Sequence, residues 1–426
     1  MPRRSCLLFA RFFAILNLVI ALATGSAMAT TTKIVYTFQG GDDGGWPWAP
    51  LLLDEKTGTL YGTTEVGGNK LCVNSTDFGC GTVFSLTPSP NGWAETVLHR
   101  FQGGSDGANP RSPLVPRPDG YLYSITTTGG GYQQYGVGTA FRIQPYTAEE
   151  EVLFSFGAYD GGWYPQGKIA FDSSGNLYGL TVNAGEEASG VAFELIPSPS
   201  GEWAEKVLYS NVGTPYAGVV LDSRGNVYGT GGASGVVNEG SVFELSPEPS
   251  GWQFTNIYSF QVACGRDCGG AQPGDLAITK SGHLFGFAGD AGIPVCSSRG
   301  CGTVFELTSI AGTWQANTLY QFQNAVDGWG PGYGAPTFDS AGNMYGTTEA
   351  GGKYGFGTVF KLSHGKGGWT KTTLYDFPGG AGGSEPLGGV VVDKHGNLYG
   401  ATYYGGKTGG RTCKKRGCGI VFEITP

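Results

Sequence analysis

The stretch Gly342-Asn343-Met344-Tyr345-Gly346-Thr347-Thr348, followed by Gly351-Gly352 and then by Gly357-Thr358-Val359-Phe360-Lys361-Leu362, decides the fold. It holds two short apolar runs joined by a glycine-rich link. Both runs are rich in β-branched and aromatic residues, the composition of strands. Relatives of the first run recur seven times, centred on Tyr61, Tyr123, Tyr178, Tyr228, Phe285, Tyr345 and Tyr399. Relatives of the second end at Phe84, Phe141, Phe193, Phe243, Phe305, Phe360 and Phe422. The copies lie about 56 residues apart on average, the signature of a repeat architecture.

Each repeat resolves into four strands. Strand A is apolar, as in Gly389-Val390-Val391-Val392-Asp393. A tight turn such as Asp339-Ser340-Ala341-Gly342-Asn343 leads into strand B, the Leu-Tyr-Gly core. Strand C carries the Val-Phe core. Strand D alternates polar and apolar residues and begins near Trp93, Trp203, Trp252, Trp314 or Trp369. Seven such meanders predict an all-β chain folded as a seven-bladed β-propeller of four-stranded antiparallel blades. The last repeat stops after its strand C, and Lys33-Ile34-Val35-Tyr36-Thr37-Phe38 resembles a strand D. The N-terminal strand is therefore expected to complete the last blade and close the ring.

Composition agrees. Glycine makes up 77 of the 426 residues, more than twice the usual share of about 7 percent. Charged residues are only 14 percent, but 13 percent of residues are aromatic, which argues against disorder. Glycine does not fall at every third position, which excludes a collagen-like chain. The net charge is −8, and scattered cations on an acidic chain argue against a nucleic-acid partner.

Residues 1–29 read as a secretory signal peptide, with Arg3 and Arg4, an apolar run from Phe12 to Ala23, and a small-x-small Ala27-Met28-Ala29. Its removal takes three arginines and no acid, moving the charge from −8 to −11. Residues 30–426 are expected to form a single propeller domain, secreted to the periplasm or the exterior, with no membrane span and as a monomer. Eight cysteines remain, in four close pairs: Cys72/Cys80, Cys264/Cys268, Cys296/Cys301 and Cys413/Cys418. In an exported chain they read as disulfides, with zinc as the rival and local pairing resting on proximity alone.

These repeats resemble the GloVer tandem repeats of bacterial secreted proteins, the choice-of-anchor GloVer-containing family. The stretch quoted at the outset carries the resemblance, which covers nearly all of the mature chain. It implies an exported repeat protein and no particular reaction. Family members often carry a C-terminal anchoring segment. Here the last strand C is expected to end near Pro426 without such a segment.

Functional residues are expected on the face that holds the D-to-A and B-to-C loops, because varied loops on a rigid scaffold carry binding. The A-to-B turns on the other face are uniform, and Asp172, Asp222, Asp339 and Asp393 read as turn residues. Candidate ligand-binding rings are Trp46, Trp48, Tyr132, Tyr135, Trp163, Tyr164, Trp329, Tyr354, Tyr403 and Tyr404. Flat rings beside Asp, Asn and Gly suit a glycan, with covering the ends of the core between blades as the rival reading for any single ring. The Asp-Gly pairs at Asp43, Asp106, Asp160 and Asp327 read first as turn caps, with Ca²⁺ the alternative and no other cofactor indicated. Catalytic signatures are poor: the four histidines fall at unrelated repeat positions, and no nucleophile elbow appears. The leading reading is a non-enzymatic binding propeller. The alternatives are a carbohydrate-active or lactone-cleaving enzyme using Asp43, Asp160, Asp275 or Asp327, and a structural surface or matrix component.

Overall fold

A computed structural model describes residues 30–69, 72, 78–131, 136–157, 162–183, 189–232, 240–260, 271–292, 296, 300–408 and 413–426. Seven antiparallel sheets form a ring, each running A-B-C-D. The B strands are Leu60–Thr64, Leu122–Thr126, Leu177–Asn183, Val227–Gly231, Leu284–Ala288, Met344–Ala350 and Leu398–Thr402. The C strands are Thr82–Ser89, Thr139–Ile143, Val191–Pro197, Ser241–Glu248, Thr303–Ile310, Thr358–Gly365 and Ile420–Thr425. Blade 6 departs from the rule, because Trp329–Pro331 and Thr337–Phe338 both pair with its strand B.

The two recurring cores fit each other. The strand-C phenylalanines are buried at every repeat. Opposite six of the seven, in register, stands the glycine of the strand-B motif, as in Gly62 across from Phe84 and Gly179 across from Phe193. A Cβ on Gly62 would lie 2.6 Å from Phe84 Cζ, and one on Gly179 2.5 Å from Phe193 Cζ. Glycine is kept on strand B because the neighbouring ring lies across its Cα. Blade 2 holds Ser124 at this position, opposite Phe141.

The tyrosine of the same motif ties strand B to the turn before it. Tyr345 donates its hydroxyl to Asp339 at 2.9 Å, and Asn343 donates its side-chain amide to the same carboxylate at 2.7 Å. Burial opposes the charge on Asp339, but these bonds and the backbone donors outweigh it and hold the carboxyl below its usual range. Asp172, Asp222 and Asp393 repeat the arrangement. The turn reading of these aspartates is what the structure shows.

Ring closure occurs as the sequence predicts. The N-terminal strand Thr31–Thr37 is strand D of blade 7 and pairs antiparallel with Ile420–Thr425, Ile34 opposite Phe422. Strand-D tryptophans then join neighbouring blades. Trp252 packs edge-on against Tyr178 and Trp314 against Tyr228. Across the seam Trp93 meets Tyr399 with ring centroids 5.9 Å apart. Disulfides link Cys72 to Cys80, Cys296 to Cys301 and Cys413 to Cys418, each closing its own local loop. Cys264 and Cys268 lie outside the described residues.

Candidate functional site at the channel mouth

A second recurring element starts each inner strand. Seven prolines, Pro47, Pro110, Pro165, Pro215, Pro273, Pro331 and Pro386, precede strand A at equivalent positions. The residue before the proline has positive φ at Trp46 (57°), Asn109 (54°), Tyr164 (61°), Gln272 (45°) and Glu385 (57°), with glycine at Gly330. Bulky residues adopt that region only where the surroundings force it. Here the forcing is visible. The Trp46 N–H donates to the Cys418 carbonyl of the preceding blade, and its own carbonyl accepts from Glu65 N–H at the end of strand B. Asn109 and Glu385 make the same two bonds with Cys80 and Thr127, and with Phe356 and Tyr403. Each strained residue thus stitches two blades at the rim of the central channel. The proline ring meanwhile seats on the glycine before strand C. A Cβ on Gly81 would stand 2.7 Å from Pro110 Cδ.

This geometry brings side chains from six blades around one cavity of about 410 Å³ on the loop-rich face. Its lining is Trp48, Arg111, Thr127, Tyr164, Gln166, Val182, Tyr216, Gln272 and Tyr333. Below, the space narrows to about 20 Å³ against Gly167, Gly334, Gly388 and Asp275. Backbone closes this floor, since a Cβ on Gly388 would lie 2.6 Å from the Ala49 carbonyl carbon. The channel mouth is therefore a cup.

One wall is aromatic. Trp48 stacks on Tyr333 with centroids 5.5 Å apart and planes at 25°. Tyr403 meets Trp48 edge-on at 5.3 Å, and Tyr404 meets Tyr403 at 4.5 Å. Trp46 packs against both tyrosines. Tyr216 is 45% exposed on the lining. The Tyr333 hydroxyl donates to Gln272 Oε1 at 3.1 Å.

The polar centre is Arg111. Its guanidinium donates to Glu65 Oε1 at 2.6 Å and lies 5.3 Å from the Trp48 ring centroid. Tyr403 donates to the other oxygen of Glu65 at 2.8 Å. Burial and the Glu65 carboxylate push the Tyr403 hydroxyl well above its usual range. Burial works against the charge on Arg111, but Glu65 more than restores it. Among the described residues, two buried polar atoms on the lining have no partner, Arg111 Nε and Thr127 Oγ1. Unpaired buried polar atoms cost stability, so at a cavity wall they point to a missing partner.

Of the residues singled out from sequence, Trp48 and Tyr164 line the cavity, and Trp46, Tyr403 and Tyr404 form a ring cluster that reaches Trp48 through Tyr403. Trp163 packs into the core between blades 2 and 3, and Trp329 into that between blades 5 and 6. Tyr354 is 49% exposed, with the Lys353 ammonium 5.0 Å from its ring centroid. Asp43 accepts from Tyr36 and from the Gln39 backbone, and Asp327 accepts from Tyr320 and from Lys371. Both carboxylates therefore cap turns. Asp275 sits at the cavity floor, where burial raises its pKa and the Gly218 N–H donates to it at 2.6 Å. Tyr132, Tyr135 and Asp160 lie outside the described residues. Among the described residues no group of three or more His, Cys, Asp or Glu is placed to hold a metal ion. Sequence reading missed Glu65, Arg111, Thr127, Gln166, Tyr216, Gln272 and Tyr333. The recurring proline was the signal that would have found most of them.

Comparison with known proteins agrees with this architecture. The Gloeobacter/Verrucomicrobia repeat matches residues 22–161, 71–293 and 215–426. The chain belongs to this repeat family. No curated protein matches it. Among solved structures, virginiamycin B lyase from Staphylococcus aureus is similar, with a TM-score of 0.55 at 12% identity over 93% of this chain and 99% of that one. A streptogramin B lyase gives 0.56 at 12% identity over 93% and 97%. The GH74 enzyme of Niastella koreensis gives 0.51 at 16% identity over 86% of this chain and 52% of that one. At such identities the likeness concerns the fold.

Proposed function

We propose that this member of the Gloeobacter/Verrucomicrobia repeat family is an exported binding propeller that takes a saccharide in the channel-mouth cup. One observation carries the reading. A cavity of about 410 Å³ combines an aromatic wall with two buried polar atoms that lack partners. Pockets of this size, apolar with a few fixed polar groups, are ligand sites. The stacked Trp48 and Tyr333 offer a flat face to sugar C–H groups. Arg111, Thr127, Gln166 and Gln272 offer donors and acceptors to hydroxyls. Three local disulfides support an oxidising compartment, in keeping with a signal at residues 1–29.

Asp275 motivates a second, enzymatic reading, because a buried carboxyl with a raised pKa is a candidate acid. Its bond from the Gly218 N–H also serves the packing of inner strands. The test is a glycan array of the mature chain, with Trp48→Ala and Tyr216→Ala beside it. Saccharide binding lost in both variants supports the cup. Absence of binding, or binding indifferent to both, overturns it. Turnover of a bound glycan, abolished by Asp275→Asn, would favour the enzymatic reading.

A further inference from the structure

The loop Cys413-Lys414-Lys415-Arg416-Gly417-Cys418 holds the one run of three consecutive cations in a chain of net charge −8. All three cations are exposed, while both cysteines are buried and joined to each other. Lys414 and Lys415 have no ionic partner among the described residues. Arg416 lies 5.0 Å from the Tyr404 ring centroid and 3.7 Å from Glu385. Exposed lysines usually stand apart from one another on a surface of mixed charge. Here they are concentrated on a pinned loop.

That loop is attached to the cup. Trp46 donates its indole N–H to the Gly417 carbonyl at 3.2 Å and its backbone N–H to the Cys418 carbonyl at 2.8 Å. From Arg416 a line of ring contacts runs through Tyr404 and Tyr403 to Trp48 on the cavity wall. The cup itself supplies little net positive charge, because Glu65 neutralises Arg111. Selection for charge therefore falls to the rim.

Resting on the saccharide reading of the cup, we infer that the ligand is an acidic oligosaccharide longer than one unit. One unit stacks on Trp48 and Tyr333. The carboxylate or sulfate groups of units outside the cup meet Lys414 and Lys415. The disulfide keeps the loop backbone in place, so binding orders little more than the lysine side chains. Such exposed contacts are screened by salt, whereas stacking is not.

The experiment compares hexagalacturonate, a sulfated hexasaccharide of the chondroitin type and neutral cellohexaose by calorimetry with the mature chain. It uses wild type, Lys414→Ala/Lys415→Ala and Trp48→Ala. Wild type is expected to prefer an acidic oligomer, with affinity falling as salt rises from 50 to 500 mM. The lysine pair removes two exposed charge contacts, a loss of about tenfold for the acidic ligand alone. Trp48→Ala weakens every saccharide. Preference between the two acidic probes tells uronate from sulfate. Equal binding of cellohexaose, unaffected by the lysine pair, overturns this inference and leaves the saccharide cup standing. Failure of all three probes overturns both. Lysine-dependent binding to anionic vesicles without saccharide binding also overturns it, in favour of a membrane surface.

Discussion

Tyr403 donates a 2.8 Å hydrogen bond to Glu65, 338 residues earlier in the chain. The bond crosses from the last blade to the first, so closing the ring also builds the polar centre of the cup. Glu65 is 6% exposed and holds Arg111 with its other oxygen. Glu65→Gln removes the charge that Arg111 and Tyr403 were placed around. It should cost about 1–3 kcal/mol in urea unfolding, and Tyr403→Phe less. Wild-type stability in Glu65→Gln would show that the network contributes nothing.

Closure itself is open to a core substitution. Phe38 follows the N-terminal strand, is fully buried, and meets Phe84 of blade 1 edge-on at 5.1 Å. Phe38→Ala should destabilise by about 3–5 kcal/mol, as for a phenylalanine deep in any core. Ile34→Ala is the control, because Ile34 is 46% exposed in the same strand and should cost far less. Equal, small effects in denaturant melts would mean that the seam is not joined as described.

Two glycines of similar φ separate backbone strain from lost space. A Cβ on Gly342 (φ 80°) would meet nothing within 4 Å, so Gly342→Ala should cost only the left-handed penalty of about 1–2 kcal/mol. Gly357 (φ 99°) would press its Cβ against the Thr348 carbonyl oxygen of its own blade and within 2.7 Å of Pro386 Cδ of the next. Gly357→Ala should cost clearly more, measured as the difference in unfolding free energy. Equal costs would show that lost space at Gly357 adds nothing to the backbone penalty.

Acidity should stabilise the molecule. Glu95, Glu150 and Glu205 occupy matching outer-strand positions, opposite Leu86, Ile143 and Leu195. Burial raises Glu95 to about 7, assisted by Asp43, and Glu205 to about 8. Burial also raises Glu150 to about 7, with His99 opposing and Asp106 assisting. Each has one buried oxygen without a partner among the described residues. A carboxyl whose folded pKa exceeds its unfolded value of 4.5 favours the protonated, folded state. Its contribution is complete below about pH 4.5 and is lost as pH rises through 7 to 8. The Tm should therefore fall between pH 5 and pH 8, and Glu205→Gln should flatten the fall. A Tm that rises over this range would contradict the assignment.

The fold was legible because the chain states its rule seven times. Gly62 and Phe84 are far apart in one repeat, but their recurrence together marks two paired strands. The turn role of Asp339 was legible for the same reason, since Asn343 and Tyr345 recur beside it. Trp163 and Trp329 show where this kind of reading ends. In sequence they look like Trp46 and Trp48, aromatic residues in glycine-rich loops. A one-residue difference from the recurring proline sends a side chain either toward the cup or into a blade interface. Trp48 follows Pro47 and Tyr164 precedes Pro165, and both line the cavity. Trp163 stands two before Pro165, Trp329 two before Pro331, and both pack inward.

The sequence by itself determined the blades, their number, the composite last blade and the two unlike faces. These follow from local periodicity and from repetition, which need no knowledge of distant contacts. Only the tertiary structure decided the site. Arg111, Glu65, Tyr403, Trp48 and Tyr333 come from four different blades, and no pattern within one repeat predicts their meeting. They converge because a closed ring points equivalent positions of every blade at one axis, where the side chains that break the repeat's sameness make a single asymmetric cup.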